Sequence, residues 1–259
     1  VTTCDSTNNI QFSVSGTGTG LAYQWQVNTG SSWTNLSNGA NVSGATTSAL
    51  KFTKAYYSMN GNQYRCVVSG ACTPSLNSSA ATLTVTPLMT PGISIQANST
   101  DICTGTLVTV TATPTAGGVT PTYQWKVNGV NAGTNSSTFT STTLNHQDVI
   151  RCEMTTSYSC PTVTKAYSNA VQVSVTAYQQ PTAQITSSMT DTICSGILNT
   201  FNVATTFAGT TPTYQWQLNG VNVGTNTNSY VTDSLNDKDI VRCLLTSSFK
   251  CPVTAQVSS

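Results

Sequence analysis

The chain has 259 residues, with 9 Lys+Arg against 8 Asp+Glu, a formal net charge of +1 and only 7% charged residues, where an average soluble domain has roughly 25%. No basic cluster offers a footprint for nucleic acid or an anionic membrane, no acidic tract is present, and no run of about 18 apolar residues supports membrane insertion. The length exceeds one ordinary sandwich and suits two or three domains, with Thr, Ser, Asn and Gln left to provide solubility.

The opening VTTCDSTNN lacks the basic and apolar regions of a signal peptide, so the sequence reads as a mature or excised piece. Tyr23-Gln24-Trp25 follows, the first of three Tyr-Gln-Trp stretches; the others are Tyr123-Gln124-Trp125 and Tyr214-Gln215-Trp216. Each reads as a core anchor, Trp25, Trp125 or Trp216, on a short strand. Three anchors indicate three units: 1–86, 92–176 and 182–259. Between them lie short Pro-bearing linkers, Thr86-Pro87-Leu88-Met89-Thr90-Pro91 and Thr176-Ala177-Tyr178-Gln179-Gln180-Pro181, which favour semi-rigid, extended spacing.

In the second unit, alternation and turn residues place strands near 93–97, 106–113, 121–128, 137–142, 148–156 and 169–176, with a short one near 130–134. About seven short strands per unit, and no sustained 3.6-residue period, predict an all-β chain of tandem β-sandwiches. The second and third units are in strict register. Trp125 to Trp216, Cys103 to Cys194, Cys152 to Cys243 and Cys160 to Cys251 are each 91 residues apart. The run from Thr120 matches that from Thr211 at 13 of 16 positions. The first unit is looser, with extra loop residues around Trp33 and Gly39. Only three residues precede Cys4, and Ser259 aligns with Ser168, so the third unit lacks the equivalent of Asn169 to Val175. The expectation is an exposed sheet edge and a natural chain that continues on both sides, or a neighbouring chain that completes the third unit.

Gly61-Asn62-Gln63-Tyr64-Arg65-Cys66 resembles the sixth-strand signature of immunoglobulin-like domains, with a corner Tyr two residues before an inward Cys. The other units read Asp148-Val149-Ile150-Arg151-Cys152 and Asp239-Ile240-Val241-Arg242-Cys243, without that Tyr. Together with Ile102-Cys103-Thr104-Gly105, Thr-Pro-Thr-Tyr-Gln-Trp, Asn-Gly-Val-Asn and a third Cys before Ser168-Asn169-Ala170-Val171, the pattern resembles the immunoglobulin-like or PKD-like tandem repeats of large Bacteroidetes cell-surface proteins. Those include gliding-motility adhesins exported by type IX secretion. The resemblance implies three immunoglobulin-like sandwiches in an extended array at the bacterial cell surface, with neighbouring repeats as partners and with no catalytic residues and no cofactor.

Nine cysteines, three per unit, suit an oxidising extracellular setting. Alternation along the sixth strand points Cys66, Cys152 and Cys243 at the core. The second-strand partner of an antibody-like domain is absent, so these three are expected to be buried free thiols. The remaining pairs within each unit would be Cys4–Cys72, Cys103–Cys160 and Cys194–Cys251, as the resemblance to two-Cys repeats also implies; sequence alone does not fix connectivity among three cysteines. Spacings of six or eight residues and a single His do not make a zinc set.

Other candidates have plainer readings. His146 sits in a turn without partner or nucleophile for catalysis. Asp148, Asp237 and Asp239 suit Asx-type turn hydrogen bonds better than calcium, which gathers more carboxylates. Trp33, Tyr56, Tyr57, Tyr158, Tyr178 and Tyr230 are candidates for a surface-polysaccharide platform, or for packing a loop and rimming interdomain joints. The sequons at Asn35, Asn41, Asn77, Asn98 and Asn135 arise readily by chance in this composition. The Bacteroidetes resemblance makes Asp5-Ser6-Thr7, Asp191-Thr192-Ile193 and Asp233-Ser234-Leu235 match an O-glycosylation motif, with Ser6, Thr192 and Ser234 as acceptors. The functional expectation is a non-enzymatic structural segment of an adhesin or filament; the alternative is a carbohydrate-binding or spacer module of a secreted multidomain enzyme.

Overall fold

A computed structural model describes residues 1–71, 74–189 and 192–259. The chain is all-β: three immunoglobulin-like β-sandwiches follow one another in a tandem array, each with its own apolar core. The second sandwich shows the pattern most fully. One sheet pairs Gly92–Ala97 with Val108–Thr115 and that strand with Thr138–Ser141. The other runs from Val130–Ala132 through Thr122–Val127 and Val149–Thr155 to Lys165–Tyr167, with Val171–Gln172 also on the Val149–Thr155 edge. A short strand, Asp101–Cys103, runs parallel to Ser174–Thr176. Sequence alternation does not reveal this parallel pair, because three residues are too few to show a period, and the final strand near 169–176 is in fact two pieces broken at Val173.

The Tyr-Gln-Trp stretch has the same job three times. Trp25, Trp125 and Trp216 are almost fully buried, and each lies directly opposite the inward cysteine of the neighbouring strand: Trp25 opposite Cys66, Trp125 opposite Cys152, Trp216 opposite Cys243. A buried indole N–H needs an acceptor. It donates to the carbonyl of Thr47, Ser136 or Thr227 at 2.8–2.9 Å. The Gln before each Trp turns its side-chain amide onto the Trp carbonyl and onto the carbonyl of Leu36, Ala132 or Val223 across the strand pair. Thus the Trp fills the core while the Gln satisfies the sheet margin beside it. Phe139 stacks on Trp125 and Tyr230 on Trp216 with ring centroids 5.7 and 5.8 Å apart. In the first sandwich, Tyr64 takes the central place instead, against Phe12 and Phe52, and its hydroxyl accepts from Asn62.

The outer sandwiches are less fully covered. In the first, Asn8–Ser13 pairs, among the described residues, only with Ala49–Lys54, whereas the corresponding Val108–Thr115 and Asn199–Thr206 pair on both sides. In the third, no described strand covers the position that Val171–Gln172 holds in the second. Ile240 is accordingly 55% exposed, and the main buried cluster shrinks to Phe201, Val203, Trp216 and Cys243.

Candidate functional site

The disulfides overturn the pairing expected from sequence. Cys4 bonds Cys160 and Cys103 bonds Cys251, with Cα atoms 5.5 and 5.8 Å apart, so each links one sandwich to the next. The expected Cys103–Cys160 and Cys194–Cys251 bonds within sandwiches are not formed, and Cys72 of the expected Cys4–Cys72 pair lies outside the described residues. The reason is topological. Thr2–Cys4 runs parallel to Thr84–Thr86 and Asp101–Cys103 runs parallel to Ser174–Thr176, which carries the first cysteine of each unit to the pole where the linker leaves. Val149–Thr155 is antiparallel to the final strand, so the loop after it, holding Cys160, lies at the opposite pole. Within one sandwich the two cysteines stand at opposite ends; across a joint they meet.

The two joints are built alike. At the first, the Met89 N–H donates to the Cys160 carbonyl (3.1 Å) and the Met89 carbonyl accepts from the Thr162 N–H (2.9 Å), so the linker pairs with the loop around Pro161. The Tyr158 hydroxyl donates to the Pro87 carbonyl at 3.0 Å, and Thr162 Oγ1 donates to Thr90 Oγ1 at 2.8 Å. At the second, the Gln179 N–H donates to Cys251 and the Gln179 carbonyl accepts from Val253, at 3.0 and 2.8 Å, around Pro252. The Gln180 amide donates to Thr254 Oγ1 at 3.0 Å. The second joint adds an ion pair, Lys250–Asp101, whose hydrogen bond holds the Asp101 carboxyl below its usual range. Gly118 supports the cysteine-bearing loop from below. Its φ is +79°, and an added Cβ would run into Ser157 and the Tyr158 backbone; Gly209 has the same relation to Ser248 and Phe249. The Cys-Pro pair repeated after 91 residues was the one sequence signal of this site; the linker residues that pair with it carry none.

The remaining candidates disperse. Cys66, Cys152 and Cys243 are buried and unbonded, and loss of solvation pushes the last two thiols up to about 11 and raises Cys66 as well. Cys194, equivalent to the bonded Cys4 and Cys103, is exposed and makes no disulfide within the described residues. Trp33 is half-buried with the Arg65 guanidinium 4.2 Å from its ring centroid. Tyr56 and its neighbour Tyr57 are exposed on the first sandwich and Tyr178 is exposed in the second linker, Tyr158 belongs to the first joint, and Tyr230, expected on the surface, packs in the third core because strand pairing sets it opposite Phe201. His146 is exposed and its Nδ1 accepts from the Val175 N–H at 3.3 Å. Asp148 accepts from Asn145 and Asn128, and Asp239 from Asn236 and Asn219, all within 2.7–2.8 Å, which places both in turns. Ser6, Thr192 and Ser234 are exposed; Asp191 of the second motif lies outside the described residues. No group of three metal-ligating side chains occurs among the described residues.

No family model and no curated protein matches the sequence. Among solved structures, a marsupial T cell receptor is 11% identical, with a TM-score of 0.43 over 100% of this chain and 97% of that one. A three-domain I-band fragment of titin is 12% identical, TM-score 0.42, over 99% and 92%. Two Dscam structures, of four and eight N-terminal immunoglobulin domains, are 13% and 14% identical, with TM-scores of 0.33 and 0.32; they are covered over 68% and 99% of this chain, which spans 43% and 38% of theirs. At these identities the likeness concerns the fold alone. The chain is a tandem array of immunoglobulin-like β-sandwiches with disulfide-closed joints.

Proposed function

We propose that this chain is a non-enzymatic stretch of a long bacterial cell-surface adhesin or filament, of the gliding-motility type in Bacteroidetes, exported by type IX secretion, and that it spaces or presents adhesive regions. The observation that carries this reading is the joint: the same linker pairing and the same interdomain disulfide occur twice, at equivalent positions. Such joints resist bending and extension. With both closed, the shortest covalent route between the ends crosses from Cys4 to Cys160, back to Cys103 and over to Cys251. That is roughly 70 residues, or about 240 Å fully extended, against about 880 Å without the bonds. A segment that transmits tension benefits from such a limit; a freely tethered binding domain does not need one. Disulfides also fit an extracellular place, and neighbouring repeats are the partners that Cys194 would meet through the same kind of bond.

Small-angle scattering of the oxidised chain tests the shape: an elongated, stiff particle is expected, and a compact one overturns the stalk. Immunolabelling of intact source cells tests the location, with surface fluorescence expected and purely internal labelling contrary to the proposal.

A further inference from the structure

We infer that each joint carries its own release, set off when the sandwich holding the joint loop opens. The core cysteine of that sandwich, Cys152 or Cys243, then attacks the joint disulfide eight residues along the chain, at Cys160 or Cys251. The staple to the preceding sandwich is exchanged for a bond inside the opened one. The release depends on the disulfides and not on where the array is displayed.

In the folded chain, attacker and target are kept apart. Cys152 is 1% exposed in the core cluster around Trp125, to which Cys160 does not belong. Glu153 to Thr155 put about 10 Å of strand between Cys152 and the start of the joint loop. Burial also keeps the Cys152 and Cys243 thiols protonated, and a neutral thiol is a poor nucleophile. Cys160 and Cys251 are 4% and 1% exposed, so a thiol from solution has little access to either bond. Opening of the sandwich removes the separation and the burial together. The Cys152 thiol returns to about 8.5, and its eight-residue tether gives it an effective concentration on the order of millimolar at Cys160. Cys194, the next nearest unbonded cysteine among the described residues, is 34 residues from Cys160, and ring closure over that length is roughly ninefold less probable.

The exchange balances without an oxidant. Cys152 loses its proton to water, and its sulfur attacks Cys160 Sγ in line with the Cys4–Cys160 bond. The Cys152–Cys160 bond forms, the Cys4–Cys160 bond breaks, and the electron pair leaves on the Cys4 sulfur, which water then protonates. One disulfide and one thiol are present before and after. With the first joint released, the shortest covalent route between the ends follows the chain to Cys103 and crosses to Cys251, about 380 Å fully extended against about 240 Å with both joints closed.

The test uses the oxidised 259-residue chain, without oxygen or added thiol. It is unfolded in guanidinium at pH 8 for a series of short times, quenched in acid, labelled at free thiols and mapped by mass spectrometry. Linked peptides of Cys152 with Cys160 and of Cys243 with Cys251 are expected, with Cys4 and Cys103 newly labelled and the number of disulfides unchanged. The rate should rise about eightfold between pH 7 and pH 8, as the thiolate fraction does. The folded chain held at pH 8 should keep both joints. Cys152→Ala should keep Cys4–Cys160 several-fold longer in guanidinium while Cys103–Cys251 still exchanges. The release is overturned if the unfolded wild-type chain retains Cys4–Cys160, or if Cys152 is found bonded to Cys4 with Cys160 free. It is equally overturned if the folded chain exchanges as fast as the unfolded one, or if Cys152→Ala loses the bond as quickly as wild type.

Discussion

Trp125 and Trp216 stand in nearly identical segments and are equally buried, yet the sandwiches around them differ. Ile150 is 0% exposed beneath Val171–Gln172, while its counterpart Val241 is half-buried and Ile240 beside it is 55% exposed. Ile102 is buried where Asp101–Cys103 pairs with Ser174–Thr176, and Ile193 is half-buried without that pairing. The same local sequence therefore builds the same peg, but burial of the surrounding residues depends on short strands distant in sequence, Asp101–Cys103 before it and Val171–Gln172 and Ser174–Thr176 after it. In this 259-residue stretch, which holds no counterpart of Asn169 to Val175 in its third unit, the second sandwich should be the stable one and the third the first to open.

Core truncation would sharpen that contrast most. Trp125→Ala should cost about 3–5 kcal/mol and shift the highest-melting calorimetric transition. Trp216→Ala should abolish the lowest transition and leave the highest in place. Equal shifts of one cooperative transition by both changes would show that the sandwiches do not differ.

Breaking the joints comes next. Replacing Cys4 and Cys160 together by Ser should cost about 2–5 kcal/mol, seen as a lower melting temperature for the first two sandwiches. In single-molecule stretching, the oxidised chain should reach about 240 Å, and the reduced chain about 880 Å. Gly118→Ala forces a Cβ onto the loop that carries Cys160 at a left-handed φ. It should cost about 1–3 kcal/mol and slow oxidation of the first joint relative to the second.

The buried thiols give a smaller, pH-dependent effect. Burial holds Cys152 and Cys243 at about 11, above their ordinary value of 9.0. Their neutral form is favoured by folding, so the stability they contribute is present below pH 9 and is lost as pH rises from 9 towards 11. Urea midpoints should fall across that window, and less so for Cys152→Ala. At pH 8, Cys194 should react rapidly with a maleimide while Cys66, Cys152 and Cys243 stay unlabelled until unfolding. Smallest of all should be Lys250→Ala. The pair with Asp101 is exposed and screened by salt, and the depressed Asp101 carboxyl means any contribution fades as pH drops below the carboxylate range. Chemical-denaturation curves with and without 1 M salt would check it.

Much of this molecule was readable before its structure was known. Trp125, the alternation of Val149–Thr155 and the 91-residue spacing announce sandwiches and their inward cysteines, because burial of one strand face is written in every second residue. The joint was not readable. Its disulfides depend on the parallel pairing of Asp101–Cys103 with Ser174–Thr176, a three-residue strand with no period, and on which pole of the sandwich each cysteine then occupies. Tyr230 misled for a related reason: a Tyr near a turn looks exposed until the register sets it against Trp216.

The joint itself is open to direct observation by peptide mapping of the unreduced chain, digested with thiols blocked at low pH and read by mass spectrometry. Linked peptides containing Cys4 with Cys160 and Cys103 with Cys251 are expected, with Cys66, Cys152 and Cys243 recovered as free thiols. Peptides joining Cys103 to Cys160, or Cys194 to Cys251, would place the bonds inside the sandwiches and contradict the stapled array.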